Sequence, residues 1–396
     1  MNINEIKNLT EKNVLNTYGR IPLAFETGKG AMLNDTDGNE YLDFTSGLGV
    51  NALGYSHPAV AELIKKQADK VYHTSNLYHI PSQAVLAEKI CESCFGERVF
   101  FCNSGSESVE GALKFARKWG KQFDTPKTGV VAFSNSFHGR TFGALSATMQ
   151  EKYRKGFDPL FPGFSEAVFN DQDSVDRAVT DETAAVIIEP VQGEGGVNVA
   201  DRAFLQHVES VCKEKDALLI VDEVQCGLGR TGKLYAHQHY NIEPDIMTLA
   251  KPLAGGLPVG AVVVGPRVWP EIKPSEHAST FGGNHFITGV ACGVFDILSN
   301  REFLNEVEKK GEYIRARLKK LAAKYSSIKE IRGMGLITGI EVDFPASEAI
   351  TYMEKERILI CSAGPKVIRF IPPLIVTNED SDRVIDMLDR FLGERA

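Results

Sequence analysis

The chain has 396 residues, of which 43% are hydrophobic and 24% are charged, and its formal net charge is −8. This length exceeds the roughly 250 to 300 residues at which one hydrophobic core stops growing, so two domains, or one large domain with a smaller one, are expected. The acidic balance argues against nucleic-acid binding, and no segment approaches the roughly 20 apolar residues of a membrane span. Chemistry on small molecules is the class that remains.

The cysteines bear on compartment and on metal binding. They lie scattered along the chain, at positions 91, 94, 102, 212, 226, 292 and 361. An odd number spread over a long chain is typical of reduced thiols in a cytosolic protein. Cys91 and Cys94 match C-x-x-C, but they fall in a predicted helix with no second ligand pair nearby. The N-terminal residues lack the apolar region of a signal peptide. We therefore expect a cytoplasmic protein without a metal site.

In chain order, the first elements carry few chemical signals. Residues 2–16 predict a polar amphipathic helix, and residues 31–35 and 40–44 flank a turn, as the strands of a small hairpin do. Apolar residues recur at helical spacing over 58–73 and 81–94, and a proline opens each run, a position that suits the first turn of a helix.

The first chemical signal follows a predicted strand at residues 98–102. A turn rich in glycine and serine leads from this strand into a predicted helix at 109–119. Backbone amides at a helix N-terminus, exposed by Gly105 and joined by the hydroxyls of Ser104 and Ser106, form a ready anion site. Ordinary capping of the helix by one of the serines is the alternative.

Two loops with polar residues come next. After a predicted strand at 129–134, Arg140 can offer its planar guanidinium to a carboxylate and Phe137 can lie against a flat ring. A solvated arginine and a core phenylalanine are the alternative. After a predicted strand at 184–188, the loop 189–196 places two carboxylates among three glycines. This composition predicts a flexible acidic rim or a plain surface turn.

Two apolar runs in the middle of the chain each end near an ionisable residue. Asp222 directly follows residues 218–221 (LLIV). Lys251 follows residues 246–249 (IMTL) after one intervening residue. Short apolar runs bounded by polar residues are typical of parallel strands buried on both faces. If the two strands are neighbours, their carboxyl ends share the crevice in which such sheets bind ligands. Asp222 and Lys251 would then meet at one site.

A lysine in that position needs a partner or a chemical task, because an ammonium group is costly to bury. Desolvated lysine gives up its proton readily and condenses with carbonyls to form Schiff bases. Pyridoxal phosphate uses such a lysine and also needs an acid opposite its ring nitrogen. Lys251, Asp222 and the anion site at Gly105 together meet these needs, and an ordinary α/β protein with polar strand ends is the alternative.

The alternation of strands and helices over residues 97–265 predicts an α/β fold, a mostly parallel sheet with helices on both faces. Predicted helices at 286–298 and 302–325, strands at 335–341 and 367–371 and a helix at about 379–392 then form a small α+β domain.

A match to the dinucleotide fingerprint needs a separate interpretation. Residues 227–232 (GLGRTG) match G-x-G-x-x-G. However, residues 222–226 separate the strand from the first glycine, no clear helix follows, and the acidic residue expected about 20 positions later is missing. A nicotinamide-dependent dehydrogenase is therefore the alternative of a different class, followed by a non-catalytic sheet protein.

Seven segments of the sequence form one ordered set. They are NSGSE at 103–107, FHGRT at 137–141, EPVQGEGG at 189–196, DEVQ at 222–225, LAK at 249–251, TFGGN at 280–284 and RFIPP at 369–373. This set resembles the signature of the class III (ω-)aminotransferases, and the similarity extends over nearly the whole chain. VNALG at 50–54, HP at 57–58 and HTSN at 73–76 resemble the acetylornithine subgroup of that family.

The resemblance implies a fold and an assembly. The fold is that of the pyridoxal-phosphate-dependent transferases of fold type I, which are aspartate aminotransferase-like, with a mixed, mostly parallel sheet in a large domain and a small α+β domain. Residues 1–52 are implied to form the N-terminal part of the small domain, 53–290 the large cofactor-binding domain and 291–396 the C-terminal part of the small domain. An obligate homodimer with shared active sites is also implied.

The resemblance also implies contacts with pyridoxal phosphate. Lys251 would form the Schiff base and later shuttle the substrate proton, Asp222 would pair with the pyridine nitrogen, and Gln225 would bond the ring hydroxyl. The other implied cofactor contacts are Phe137 stacked on the ring, His138 in the pocket, Gly105 and Ser106 at the phosphate, and Thr280 at the phosphate of the neighbouring subunit.

Three charged residues are implied to recognise substrates. Arg140 would bind the distal carboxylate in both half-reactions, and Arg369 would bind the α-carboxylate of glutamate. Glu194 would pair with Arg369 when the amine is bound, because an unpaired buried charge costs several kcal/mol, and would swing away for glutamate. Ser106 stands where alanine is common. Leu48 stands where ornithine δ-aminotransferases carry tyrosine, which favours an acylated amine.

The reaction implied is a ping-pong transfer of the terminal amino group of N2-acetylornithine to 2-oxoglutarate. It gives N-acetylglutamate semialdehyde and glutamate, and it belongs to arginine biosynthesis. Other ω-aminotransferases, acting on succinylornithine, acetyllysine-type compounds, ornithine or 4-aminobutyrate, are the alternatives within the family.

Overall fold

Strands and helices alternate along the protein, for which a computed structural model describes residues 1–395. The helices are α1 (Ile3–Asn13), α2 (Ser46–Gly49), α3 (Pro58–Ala68), α4 (Pro81–Glu92), α5 (Gly105–Trp119), α6 (Phe142–Ser146), α7 (Glu151–Arg154), α8 (Gln172–Ala178), α9 (Arg202–Glu214), α10 (His285–Leu298), α11 (Arg301–Lys324), α12 (Ala346–Lys355) and α13 (Asn378–Arg395). The strands are β1 (Phe25–Lys29), β2 (Met32–Asp35), β3 (Glu40–Asp43), β4 (Arg98–Cys102), β5 (Gly129–Phe133), β6 (Phe164–Ala167), β7 (Thr183–Ile188), β8 (Val191–Gln192), β9 (Asn198–Val199), β10 (Leu218–Asp222), β11 (Ile246–Leu249), β12 (Gly260–Val264), β13 (Ile328–Met334), β14 (Ile337–Val342), β15 (Ile358–Leu359), β16 (Cys361–Ser362) and β17 (Val367–Phe370).

The largest sheet has seven strands in the order β4-β12-β11-β10-β7-β5-β6. β12 runs antiparallel to both of its neighbours, and the other pairs are parallel. Every residue of β7, β10, β11 and β12 is buried, as expected for strands covered on both faces. The predicted mixed, mostly parallel sheet is therefore confirmed.

Helices cover both faces of this sheet because successive strand residues point to opposite sides. Ile220 of β10 packs in one cluster with Leu113 of α5, whereas its neighbour Leu219 packs in another cluster with Leu205 of α9. The two-sided packing fixes the sheet and leaves the carboxyl ends of its strands for the loops that carry polar residues.

Two further sheets lie outside the large one. The first has the order β1-β2-β3-β15, and the second has the order β13-β14-β17-β16. The parallel pair Ile358 and Leu42 joins the two ends of the chain in the first sheet. Such pairing supports a small domain built from both ends of the chain, and the division at residues 1–52, 53–290 and 291–396 stays a prediction.

Local chemistry explains two departures from the predicted elements. Helix α5 begins at Gly105 rather than at residue 109, because the Ser104 side chain accepts a hydrogen bond of 3.2 Å from the Glu107 amide and caps the helix. Strand β13 has no counterpart among the predicted strands, because its residues are mostly charged or half-exposed and give no apolar signal.

The loop at residues 227–232 is not a dinucleotide-binding turn. β10 is followed by this loop and by the short 3₁₀ turn Ala236–His239 rather than by an α-helix. Arg230 of the loop is 2% exposed and donates to the carbonyls of Leu336, at 2.9 Å, and Pro372, at 2.5 Å. The G-x-G-x-x-G match therefore lies in a loop that connects the large sheet to the β13–β14 turn. The prediction that it is not a dinucleotide-binding motif is confirmed.

Residues 1–395 include neither a membrane-spanning helix nor a cluster of metal ligands. No helix there is both long and apolar enough to cross a bilayer. No group of three or more His, Cys, Asp or Glu side chains is placed to hold a metal ion in that part of the chain. Cys91 lies in α4, Cys94 follows its end, and both are free thiols.

Gly311 provides a test of the packing behind Arg230. A methyl group added at this buried helix position would lie 2.0 Å from the carbonyl oxygen of Gly335, which itself packs against the Arg230 loop. We expect Gly311→Ala to lower the free energy of unfolding by about 1–3 kcal/mol through overpacking. Thermal unfolding measures the effect. Gly19→Ala is the control, because nothing lies within 4 Å of its added carbon. Equal melting temperatures for the two variants would contradict the packing.

Candidate active site

A cavity of about 350 Å³ lies at the carboxyl ends of β10 and β11. Asp222 at the end of β10 is the register partner of Thr248 on β11, and Lys251 follows two residues after the end of β11. Both ionisable residues line the cavity. The predicted site residues that line it are Gly105, Ser106, Phe137, His138, Glu194, Asp222, Gln225 and Lys251.

The Asp222 carboxylate is held in one orientation. It is 4% exposed, and its Oδ1 accepts hydrogen bonds from the Thr248 hydroxyl at 2.9 Å and from the Val224 amide at 3.0 Å. Its Oδ2 lies 2.7 Å from Nδ1 of the buried His138, which donates because an ionised carboxylate only accepts. These bonds present a fixed negative charge to the cavity.

The Lys251 amine is free for chemistry. Lys251 opens the 3₁₀ turn Lys251–Ala254, and its Nζ makes no hydrogen bond to any atom of residues 1–395. Burial lowers the pKa of Lys251, and attraction to Glu194 and Asp222 only partly offsets this effect. The neutral amine, which is the nucleophilic form, is therefore more accessible than in an exposed lysine.

The N-terminus of α5 forms an open anion cradle. Gly105 begins this helix of 15 residues and lines the cavity with Ser106. A methyl group on Gly105 would lie 2.7 Å from Val224, and one on Gly139 would lie 2.5 Å from the Ser106 hydroxyl. Both glycines are thus required by close approach. The exposed amides and the positive end of the helix dipole suit a phosphate.

The residues present fit pyridoxal phosphate. The cavity has an anion cradle at Gly105, a fixed carboxylate at Asp222, an unpaired amine at Lys251 and an aromatic ring at Phe137. These four groups match the phosphate, the ring nitrogen, the aldehyde and the ring face of the cofactor.

Arg369 and Glu194 form a buried ion pair beside the cavity. Nη1 of Arg369 donates to Glu194 Oε1 at 2.7 Å, to the Gly193 carbonyl at 2.6 Å and to Gln225 Oε1 at 3.2 Å. Arg369 is 1% exposed. Burial alone would raise the pKa of Glu194, but Arg369 and Lys251 lower it below the usual value. Glu194 is therefore ionised, and it neutralises Arg369.

Besides Arg369, three predicted residues do not line the cavity of this chain. The Arg140 guanidinium is exposed and lies 4.1 Å above the ring of Tyr153 and 5.5 Å from that of Phe137. Thr280 is exposed at the surface, and Leu48 is 46% exposed. Val50, rather than Leu48, lines the cavity.

Glu189 corrects one prediction. Residues 189–196 are predicted as a flexible rim or surface turn, but Glu189 is 5% exposed, lines the cavity and accepts a hydrogen bond of 3.0 Å from the Phe137 amide. Burial raises the pKa of Glu189 well above its usual value, and the Asp222 carboxylate adds to this effect. Its position directly after strand β7 is the signal that could have identified it, since Asp222 follows the same pattern.

Glu189→Gln tests the buried acid. Because the folded-state pKa of Glu189 is raised, the folded protein binds this proton more tightly than the unfolded protein, and its stability falls as pH rises above the usual range of a glutamate. Glutamine cannot ionise, so we expect the variant to gain stability over the parent as pH rises, by on the order of 1.4 kcal/mol per pH unit. Thermal unfolding of the cofactor-free proteins between about pH 5 and 8 measures this gain.

The exposed Glu166 of β6 supplies the matched control, Glu166→Gln. A stability difference between Glu189→Gln and the parent that stays constant with pH would show that Glu189 is ionised in the folded state.

Comparison with known proteins agrees with this geometry. Residues 14–392 match the family described as Aminotransferase class-III. The acetylornithine aminotransferase of Caldanaerobacter subterraneus subsp. tengcongensis is 47% identical over 386 residues, which span 97% of this chain and 98% of that protein. The crystal structure of N-acetylornithine aminotransferase from Stenotrophomonas maltophilia K279a superposes with a TM-score of 0.84 at 32% identity and covers 98% of each chain.

A structure of the ornithine aminotransferase from Toxoplasma gondii superposes with a TM-score of 0.95 at 32% identity. It covers 99% of this chain and 94% of that one, and it shows partial occupancy of pyridoxal phosphate at its active site. The predicted fold type I architecture is therefore confirmed. The match over residues 14–392 and these relatives show that the chain belongs to the class-III aminotransferases, the enzymes of this fold that depend on pyridoxal phosphate.

Proposed function

We propose that this aminotransferase transfers the terminal amino group of N2-acetylornithine to 2-oxoglutarate, giving N-acetylglutamate semialdehyde and glutamate, in arginine biosynthesis. The ion pair of Glu194 and Arg369 carries the proposal. Because Glu194 already neutralises Arg369, this site can accept an amine that has no carboxylate beside the reacting nitrogen. The curated relatives named acetylornithine aminotransferase support this choice of amine.

The proposed roles of the residues follow from their surroundings. When bound, pyridoxal phosphate supplies a carbonyl that condenses with amines and a ring that withdraws electrons from the substrate carbon. Asp222, fixed by His138 and Thr248, holds a proton on the ring nitrogen. Lys251 would hold the aldehyde and, once released, would carry the proton from the substrate carbon to the cofactor, and in the reverse direction in the other half-reaction. Phe137 covers one face of the ring. Gly105 and Ser106 hold the phosphate, and Gln225 bonds the ring hydroxyl.

Substrate exchange in the proposed ping-pong reaction depends on charge pairing. With the amine bound, Glu194 stays on Arg369, so no buried charge is left alone. With glutamate bound, its α-carboxylate takes the place of Glu194 on Arg369. Within residues 1–395 the exposed guanidinium of Arg140 has no carboxylate partner, so it is free to bind the distal carboxylate of either substrate.

A homodimer is proposed from the surface around Thr280. Its neighbour Phe281 is 61% exposed, and Leu77 and Tyr78, from the loop before α4, are 87% and 69% exposed. Asn76 joins the two loops by donating to the Gly282 carbonyl at 2.9 Å. An apolar patch of this kind is typical of an interface, and it would carry Thr280 to the neighbouring subunit's cofactor phosphate.

A cytoplasmic location also stays a prediction.

A panel of amines tests the proposed substrate. We expect acetylornithine to exceed ornithine and 4-aminobutyrate by roughly tenfold or more in kcat/KM, with 2-oxoglutarate as acceptor, because a group that fits the pocket is worth about this much discrimination. Succinylornithine and acetyllysine-type amines complete the panel, and steady-state rates measure it. A preference for ornithine or 4-aminobutyrate would reject the acetylornithine assignment while leaving the family unchanged.

Lys251→Ala tests the covalent attachment of the cofactor. We expect borohydride reduction of the holoenzyme to leave the cofactor's mass on the peptide that contains Lys251, because hydride fixes a Schiff base permanently. Peptide mass spectrometry should find this addition in the parent and in the control Lys355→Ala, an exposed position on α12, but not in Lys251→Ala. An addition on another lysine of the parent would reject the role given to Lys251.

A further inference from the structure

A short hairpin carries Glu194 into the site. β8 and β9 pair antiparallel, and residues 193–197 form the tip between them. On one side the tip is packed against the loops of the large sheet. A methyl group added to Gly193 would lie 1.6 Å from Gln225 Oε1, and one added to Gly195 would lie 2.2 Å from the Asn135 carbonyl oxygen. The backbone of the tip therefore has no free space on this side.

The other side of the tip contacts the sheet of β13, β14, β17 and β16. Nε of Arg332 on β13 donates to the Gly196 carbonyl at 2.9 Å. Val197 is fully buried, and its side chain fills the space above Gly339 on β14, where an added methyl group would approach it to 2.8 Å. The tip is thus held at two points on this sheet besides the Glu194 ion pair.

The residues that make these contacts are register partners on the neighbouring strands β13, β14 and β17. Arg332 is the cross-strand partner of Gly339, and Gly339 is the partner of Arg369. Directly paired residues of antiparallel strands share a face, so both arginines point toward the hairpin tip. Gly339 between them leaves room for Val197. Arg369 therefore holds Glu194 and the Gly193 carbonyl, while Arg332 holds the Gly196 carbonyl.

We propose that Arg332 is a positioning residue for substrate exchange: it fixes the hairpin tip so that Glu194 reaches Arg369 whenever the amine substrate is bound. This inference rests on the proposed function. Arg332 itself does not line the active-site cavity. Its charge is neutralised by Glu341 at 2.5 Å and Glu330 at 2.7 Å, so its contribution is the bond to the tip rather than a charge offered to substrate.

The inference predicts an asymmetry between the two half-reactions. The amine half-reaction needs Glu194 on Arg369, and a loosened tip would leave that buried arginine unpaired for part of the time. The glutamate half-reaction needs Glu194 displaced, so a loosened tip does not hinder it. A residue that only stabilised the fold would affect both half-reactions alike.

Single-turnover absorbance measurements on the holoenzyme separate the half-reactions, with acetylornithine as one substrate and glutamate as the other. For Arg332→Gln we expect kcat/KM of the amine half-reaction to fall about tenfold, the size of one lost charge-assisted hydrogen bond, while that of the glutamate half-reaction changes much less. Arg332→Lys, which keeps the charge between Glu330 and Glu341, should also lower kcat/KM of the amine half-reaction more than that of the glutamate half-reaction. Gly339→Ala, which pushes on Val197, should do the same.

Glu341→Gln is the matched control, because it removes a partner of Arg332 but leaves the bond to Gly196. It should leave the ratio of the two half-reactions as in the parent. Equal losses in both half-reactions of Arg332→Gln, no loss in either, or the same asymmetry in Glu341→Gln would each overturn the inference. The parent enzyme's own rate with acetylornithine tests the proposed function, so failure of that proposal is recognised before any variant is compared.

Discussion

The pairing of β10 with β11 is the constraint on which the site depends. Their parallel register sets Asp222 beside Thr248, and the Thr248 hydroxyl also donates to the Asp222 carboxylate at 2.9 Å. If β10 slipped by one residue relative to β11, each side chain of β10 would turn to the opposite face of the sheet. Asp222 would then leave the cavity, while Lys251, beyond the end of β11, would keep its place. The backbone hydrogen bonds of two short strands thus set the distance between the acid and the amine.

The charges around the cavity are arranged so that one of them has no partner. Arg369 is paired with Glu194, and Asp222 is held by three donors. Burial raises the pKa of Glu189, so this acid favours its neutral form. Lys251 alone makes no hydrogen bond within residues 1–395, and burial lowers its pKa. Burial therefore favours the neutral form of Lys251, which is the form of an amine that acts as a nucleophile.

Sequence patterns predict the structural features that depend on residues close to one another in the chain. The apolar runs before Asp222 and Lys251 identify buried strands, and the order of parallel strands then predicts that their ends meet. The ion pair of Glu194 and Arg369 joins residues 175 positions apart, and no periodicity reports such a contact. Only the resemblance to a family predicts it. A residue that serves a second subunit, as proposed for Thr280, leaves no signal in the sequence pattern, and within one chain the exposed apolar surface around it is what points to that role.

The glycines of the loop 189–196 show why composition alone misleads. Glycine-rich loops suggest flexibility, and the sequence predicts a flexible rim here. In the structure Gly193 and Gly195 are required because Gln225 and Asn135 leave no room for a side chain.

A packed tip changes how Glu194 can leave Arg369. With the backbone held on one side by Gln225 and on the other by Arg332, the carboxylate can move by rotation of its own side chain, without opening of the loop. Side-chain rotation is far faster than loop motion, so the exchange of substrates would not wait for the protein to rearrange. In the proposed exchange of substrates, the hairpin would therefore act as a rigid support while the Glu194 carboxylate moves.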